Sequence, residues 1–373
     1  MRVVFVTAAP FVSGAERSLQ TTIEFLPSVG VEPFVLCPPD AMIVPWCTDR
    51  RVPVLACKLA PRDKWHPFQW WSSLRTGHRL LRESRPDLIH SNQIWSYPLV
   101  GHVGSRLGVP RVCHLRDETS AEGIRYWCAA GVEAILCISR HIEQQITGAW
   151  PPPSAPVVKT LINPVRIPSD ADLRASLARG AELRYGLGLP GEAVVFGFIG
   201  QLSPVKGLLE LLEALAGLDS RGLWHLLVAG RDPRKGTPYA NACVDRISRL
   251  GLKDRVSWLG YLEDPDAFFG AIDIAVVPSL EEPLGRVPLE AGAYGKPTVA
   301  FSVGGLPETI RQGETGWLVP PRDFHGFRSA LISFIESRPR DAGLAARAWA
   351  ESACHPQRYV QALAQIYSGL LRG

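Results

Sequence analysis

The chain has 373 residues, 46% of them hydrophobic and 20% charged, and its 40 basic and 36 acidic side chains leave a formal net charge of +4. The length predicts two or three domains and the composition is that of an ordinary globular protein. So mild a charge argues against a nucleic-acid binder and suits a small anionic ligand. Eight cysteines, Cys37, Cys47, Cys57, Cys113, Cys128, Cys137, Cys243 and Cys354, include no Cys-x-x-Cys pair and no zinc spacing with histidine. They read as reduced core thiols of a cytoplasmic protein.

The opening run Met1–Val6 is apolar but meets Pro10 and Gly14 at once, so it reads as a first strand and not as a signal peptide. No apolar stretch reaches the about 18–20 residues a membrane span needs. Strands are predicted over Val3–Val6, Phe34–Cys37, Val52–Cys57, Leu88–His90, Arg111–Leu115 and Ala134–Ile138, with helices between them near Glu16–Leu26, Phe68–Glu83 and Tyr97–Leu107. Alternation of short apolar strands with helices implies a parallel sheet covered on both faces.

Within this half, residues 58–85 gather Lys58, Arg62, Lys64, Arg75, Arg79, Arg82 and Arg85 among Trp65, Trp70 and Trp71. Arg75, Arg79 and Arg82 share one helical face, and Trp70, Leu74 and Leu81 another. The pattern fits a core-packed helix with a basic exterior, with peripheral membrane contact as the second reading.

The prolines of Trp150-Pro151-Pro152-Pro153-Ser154-Ala155-Pro156 break the pattern. One strand over Val157–Ile162 follows, and then Asn163-Pro164-Val165, which place an interdomain linker near 163–170. The alternation restarts with strands over Ala193–Ile199, His225–Ala229, Val256–Leu259, Ile274–Val277, Thr298–Phe301 and Trp317–Val319, and helices near Gly207–Leu215, Ala240–Leu250, Arg286–Tyr294 and Phe324–Glu336. Two successive doubly wound α/β units result. Their expected bounds are 1–165 and 166–355, with an amphipathic helix over 356–371 returning to the first.

The chemistry concentrates in Pro278-Ser279-Leu280-Glu281-Glu282-Pro283-Leu284-Gly285-Arg286-Val287-Pro288-Leu289-Glu290-Ala291, which follows a buried strand and opens a helix. A helix start presents unpaired N–H groups and a positive dipole end, which suit a phosphate. Leu284, Gly285 and Arg286 are the expected donors, and Gly285 permits close approach of the backbone. Glu282 and Glu290 flank this anion site. At about 1.5 Å per residue, Glu290 stands roughly 7 Å along the helix, about where the ribose of a nucleoside diphosphate would lie, and a carboxylate accepts from two ribose hydroxyls. Glu282 would face the transferred sugar. Either glutamate alone reads as an ordinary helix-start acid. The combination of strand, paired glutamates, glycine and helix is far more specific.

This segment resembles the Glu-x7-Glu signature of family 4 retaining glycosyltransferases, whose fold is GT-B. Gly200-Gln201-Leu202-Ser203-Pro204-Val205-Lys206-Gly207 resembles the family's donor-phosphate loop, Gly304-Gly305-Leu306-Pro307-Glu308 its Gly-Gly-x-Pro-Glu turn, Gly14-Ala15-Glu16-Arg17 its N-terminal glycine loop, and Asn163-Pro164-Val165 its linker. The resemblance covers nearly the whole chain. It implies an α/β fold of two Rossmann-like domains facing a central cleft, an N-terminal acceptor domain and a C-terminal donor domain. The implied activity is retaining transfer of a sugar from a nucleoside diphosphate sugar, UDP- or GDP-linked, to a hydroxyl of a glycan, lipid or small-molecule acceptor, with no divalent metal and no other cofactor.

By the same resemblance Lys206 contacts the donor diphosphate, Gly14 lies near it, and His114 of Cys113-His114-Leu115-Arg116-Asp117 lies near the donor sugar. Gln201 stands where the family usually has arginine, so Arg286 or Arg231 is expected to supply the missing cation. Arg116 and Asp117 are expected to orient His114 or to touch the acceptor, and Asn92, Ser139 and Arg140 sit at strand ends as acceptor or interdomain contacts. Two other readings share this architecture: a nucleotide-sugar epimerase or hydrolase, and a non-catalytic nucleotide-binding homologue.

Overall fold

The computed structural model describes residues 1–9, 12–60, 67–150, 155–218 and 224–372. Pro10, Arg62, Lys64, Trp65 and the run 151–154, all named above, lie outside them. The chain divides into two compact units, Met1–Pro164 with Cys354–Gly373, and Val165–Ala353.

The first unit is built on β1 (Arg2–Val6), β2 (Glu32–Cys37), β3 (Val54–Ala56), β4 (Leu88–Ser91), β5 (Arg111–Leu115), β6 (Ala134–Cys137) and β7 (Val157–Thr160), in the order β3-β2-β1-β4-β5-β6-β7. Every pairing is parallel. Strands covered on both faces are buried along their length and mostly apolar; every residue of β4, β5 and β6 is buried, His90, Ser91, Arg111 and His114 being the polar ones. The Gly14–Phe25 helix packs Leu19 and Ile23 into a core with Val3, Phe5 and Val35. The C-terminal helix, Pro356–Leu370, adds Tyr359, Val360, Leu363 and Tyr367 to that same core.

The second unit carries β8 (Val194–Ile199), β9 (Trp224–Ala229), β10 (Val256–Gly260), β11 (Ile274–Val277), β12 (Thr298–Phe301) and β13 (Gly316–Val319), ordered β10-β9-β8-β11-β12-β13 and again wholly parallel. Phe196, Leu226, Val276, Val299 and Phe301 lie in its main core with Leu208, Leu211, Leu212 and Leu215 of the Leu208–Ala216 helix.

In each sheet the strand order reverses at one place, between β1 and β4 and between β8 and β11. The chain leaves adjacent strands in opposite directions there, which opens a crevice at their carboxyl ends where ligands of such sheets bind. All thirteen strands expected from the sequence are present, the outermost ones of the first sheet shortened: β3 covers Val54–Ala56 and β7 stops at Thr160.

The helix Pro67–Ser84 buries Leu74 and Leu81 while Arg75, Arg79 and Arg82 are exposed, as the core-packed reading requires. Its first turn also leaves Phe68 87% and Trp71 58% exposed. Among the described residues no helix is long and apolar enough to cross a membrane.

Candidate functional site

At the switch point of the second unit, three loops are clamped together. After β8, Pro204–Lys206 forms a 3-10 turn, and the Leu280 N–H donates to the Val205 carbonyl at 2.8 Å, joining it to the loop after β11. After β12, the Gly305 N–H donates to the Glu282 carbonyl at 2.8 Å. Gly304 is left-handed, with φ +54°, and a Cβ there would lie 2.0 Å from the Glu282 carbonyl oxygen. The Gly-Gly turn is thus required by contact with the Glu282 loop.

These clamps bring Lys206 Nζ to 2.5 Å from Glu282 Oε2, with Ser279 Oγ at 3.4 Å from the same oxygen. Gly285, at φ +91°, is the N-cap of the Arg286–Ala293 helix. Among the described residues no side chain caps that start. Leu284 is buried. Arg286 lies one turn from Glu290 and donates to it through Nη2 at 2.7 Å and Nε at 3.2 Å. A lysine, an arginine and a helix start therefore meet two glutamates in a region linked by backbone hydrogen bonds. The sequence placed both glutamates beside an anion; it did not foretell that each would carry its own cation.

Gln201 is exposed after β8, and Arg231 stacks its guanidinium 4.8 Å from the centre of the Tyr261 ring. The Leu202 N–H donates to the Arg231 carbonyl at 2.9 Å, so the two expected donor-binding loops are tied at their backbones.

In the first unit the residues at the carboxyl ends of β1, β4 and β5 form one buried network. His114 is 1% exposed. Its Nδ1 lies 3.2 Å from Arg116 Nη2 and 3.3 Å from His90 Nε2, and His90 Nδ1 lies 2.5 Å from the Tyr367 hydroxyl. His114 Nε2 is buried and has no hydrogen-bond partner among the described residues. Burial, and then the Arg116 charge, push the His90 imidazole down to about 3; the same causes with His90 added hold His114 well below the ordinary histidine value. Burial raises the Asp117 carboxyl; Arg116 opposes that and Glu16 adds to it.

Arg116 and Asn92, expected as acceptor contacts, hold one another. Arg116 donates from Nε to the Asn92 carbonyl at 2.9 Å, from Nη2 to Asn92 Oδ1 at 2.8 Å and from Nη1 to Asn163 Oδ1 at 2.7 Å. Both are buried, and they form a strut between strand ends and the segment after β7. Ser139 is buried and N-caps the helix Arg140–Gln145, its Oγ accepting from the Ile142 N–H; Arg140 is exposed at that helix start.

Gly14 is the first residue of its helix, and the N-cap is Ser13, which forms a capping box with Glu16. The sequence reading began this helix two residues late and gave Glu16 no task. Its buried carboxylate accepts from Gln93 Nε2 at 2.5 Å, Thr7 Oγ1 at 3.2 Å, the Ser13 N–H at 3.1 Å and Ser13 Oγ at 2.5 Å. The Ser13-Gly14-Ala15-Glu16 spacing was a legible capping signal. His90, Gln93 and Tyr367 were also missed.

Two units with doubly wound parallel sheets, each with polar clusters at its switch point, define the GT-B class. A family model described as glycosyl transferases group 1 matches residues 181–350, and one described as a glycosyl transferase 4-like domain matches 13–159. A D-inositol 3-phosphate glycosyltransferase of Streptomyces scabiei is 31% identical over 317 residues, covering 76% of this chain and 67% of that protein. The chain belongs to the group 1 glycosyltransferases of family 4.

The like-named protein of Rhodococcus jostii is 36% identical over 174 residues, but the match spans only 38% of its length and 45% of this chain. The lipopolysaccharide core biosynthesis mannosyltransferase LpsB of Rhizobium meliloti is 30% identical, over 51% of this chain and 56% of that one. Among solved structures, Anabaena HepE, crystallised with UDP-glucose, superposes with a TM-score of 0.84 at 23% identity, over 99% of this chain and 100% of that one. A Rickettsia africae glycosyltransferase does so at 0.84 and 17%, over 100% of this chain and 99% of that one.

Proposed function

We propose that the protein is a retaining glycosyltransferase that moves a sugar from a UDP- or GDP-linked donor to a hydroxyl of a glycan, lipid or small-molecule acceptor, in polysaccharide or glycolipid biosynthesis. The observation that carries this is the Lys206–Glu282 pair set beside the Gly285 helix start. The reading is supported by the names of the relatives, which transfer sugars to an inositol phosphate or to lipopolysaccharide core, and by the UDP-glucose bound to HepE.

In this scheme the diphosphate lies on the N–H groups of Gly285 and Arg286, with Lys206 and Arg286 as its cations, Arg286 filling in for the arginine absent at Gln201. Glu290 accepts from the ribose hydroxyls and Glu282 from hydroxyls of the sugar. The bond between the anomeric carbon and the phosphate oxygen breaks as the acceptor oxygen attacks the same face. The acceptor proton passes to the departing phosphate oxygen. Negative charge grows on that diphosphate, where fixed cations and N–H dipoles act most strongly. Taken by itself, the first unit offers His114 Nε2 to a hydroxyl of a sugar.

The test is incubation with UDP- and GDP-sugars and simple sugar acceptors, with the product anomer read by proton NMR. The expected product keeps the anomeric configuration of the donor. An inverted product rules out retention, and release of free sugar at the same rate with and without acceptor favours the hydrolase reading.

We also propose that Phe68 and Trp71, exposed on the helix that carries Arg75, Arg79 and Arg82, touch an anionic membrane surface. The protein should float with anionic vesicles and not with neutral ones, and the Phe68→Ala/Trp71→Ala double variant should float less. Absence from the anionic vesicle fraction removes this contact.

A further inference from the structure

The hydrogen-bond partners around His114 determine where its proton sits. A guanidinium has donors only, so Arg116 Nη2, at 3.2 Å, can approach His114 Nδ1 only if that nitrogen carries a lone pair. The neutral ring must then hold its proton on Nε2. His90 Nε2 faces the same Nδ1 at 3.3 Å and can bond to it only as a donor. His90 Nδ1 is thereby an acceptor, and the Tyr367 hydroxyl at 2.5 Å donates to it. One direction runs through the whole relay: Tyr367 O–H to His90, His90 Nε2–H to His114, and a remaining His114 Nε2–H that no group among the described residues accepts.

Sequence distance makes the arrangement more telling. Tyr367 lies 277 residues from His90, on the C-terminal helix, yet its hydroxyl ends in the core at the carboxyl end of β4. His90 and His114 stand on adjacent strands, in rings 5.3 Å apart, and the Tyr367 ring meets His90 edge-on at 5.9 Å. The ionisable groups acting on the three rings are Arg116, Tyr359 and the rings themselves. None is an acid that would favour an imidazolium.

We propose that His90, oriented by Tyr367, is a positioning residue that together with Arg116 locks His114 in the neutral Nε2–H tautomer, so that His114 meets a sugar hydroxyl as a hydrogen-bond donor and not as a proton acceptor. The part played toward the sugar rests on the reading of His114 given above; the lock itself does not. A buried donor without a partner is unfavourable, and a sugar hydroxyl accepting from Nε2–H removes that penalty. The C-terminal helix thus reaches the chemistry through two rings.

The experiment is long-range proton–nitrogen correlation NMR on the full chain labelled with 15N-histidine, with His114 and His90 assigned by substitution. Both rings are expected as neutral Nε2–H tautomers at pH 7. A proton on His114 Nδ1, or a charged His114, overturns the lock whether or not the protein transfers sugar.

The second arm compares His90→Gln, whose amide can donate to His114 Nδ1, with His90→Met, which cannot. His90→Met should lower kcat roughly 3- to 10-fold, the worth of one hydrogen bond, with the donor KM unchanged, while His90→Gln keeps most of the rate. Tyr367→Phe removes a single hydroxyl; it should fold and let a second His90 tautomer appear in the spectrum. Equal loss in the Gln and Met variants, or an unchanged His90 spectrum in Tyr367→Phe, contradicts the positioning role. A locked His114 in a protein with no transferase activity leaves the lock standing and sinks the reading of the site instead.

Discussion

Alanine at Lys206 is expected to lower kcat by about 100- to 1,000-fold, the range seen when one fixed group that stabilises developing charge is removed. Lys206 is held by Glu282 at 2.5 Å and sits in a turn bonded to the loop after β11, so in the proposed scheme the cation is in place before charge moves onto the diphosphate. Arginine should recover only part of the rate, because a planar guanidinium cannot take the place of a compact ammonium in that turn. Glu282→Gln separates the roles of the pair. It removes the anion that competes for Lys206, so a nucleoside diphosphate should bind more tightly while transfer slows. Steady-state kinetics on all three variants checks this; a Lys206→Ala enzyme with kcat within threefold of the parent contradicts it.

The second large effect is loss of stability in acid. His90 is neutral in the folded protein, its value lowered to about 3 by burial and Arg116, and His114 is lowered as well. In the unfolded chain a histidine titrates near about 6.5. Above that value neither state binds the proton and the contribution is fully present. Below it the unfolded chain takes up protons that the folded one refuses, so stability falls as pH drops from about 6.5 toward 3. For His90 alone the loss at pH 4.5 is about 3 kcal/mol, and His114 adds to it. Hydrogen exchange of the β4 and β5 amides follows the first unit by itself. Their protection should drop steeply between pH 7 and 4.5 in the parent, after correction for intrinsic exchange, and markedly less in His90→Gln. The same drop in both proteins would show that His90 is not its source.

How far the sequence could be read depended on how locally each feature is encoded. Strands such as β6 and β11 are buried on both faces and appear as unbroken apolar runs. The helix Asp170–Gly186 gave no such signal, since the only residues it buries are Ser176 and Gly180. It packs by backbone approach: a Cβ on Gly180 would lie 2.2 Å from the Gly270 carbonyl carbon, and one on Gly270 would lie 2.0 Å from the Ser176 carbonyl oxygen. Small residues that let chains touch leave no hydrophobic stripe to count. The helix Arg340–Cys354 carries no strong stripe for a related reason, its buried residues being Ala342, Gly343, Ala346 and Ala350, with Cys354 at its end.

The candidate site divides in the same way. Glu282, Gly285, Arg286 and Glu290 fall within nine residues of one strand-to-helix turn, and their spacing already speaks of an anion. The Arg286–Glu290 pair could have been read from its i,i+4 spacing. The first-unit cluster could not: Arg116 meets Asn163 across 47 residues and Tyr367 meets His90 across 277. Which strand ends adjoin, and which of them Tyr367 reaches, is settled by the sheet order and not by any local pattern.

The central claim is that the loops after β8 and β11 hold a diphosphate. Calorimetric titration of UDP, and then GDP, into the parent protein and into Lys206→Ala addresses it most directly. The account predicts that one of the two nucleotides binds the parent at a single site, that Lys206→Ala weakens it by at least about tenfold, equivalent to about 1.4 kcal/mol, and that Glu282→Gln strengthens it. Binding of equal strength in the parent and in Lys206→Ala, or no binding of either nucleotide to the folded parent, would contradict it.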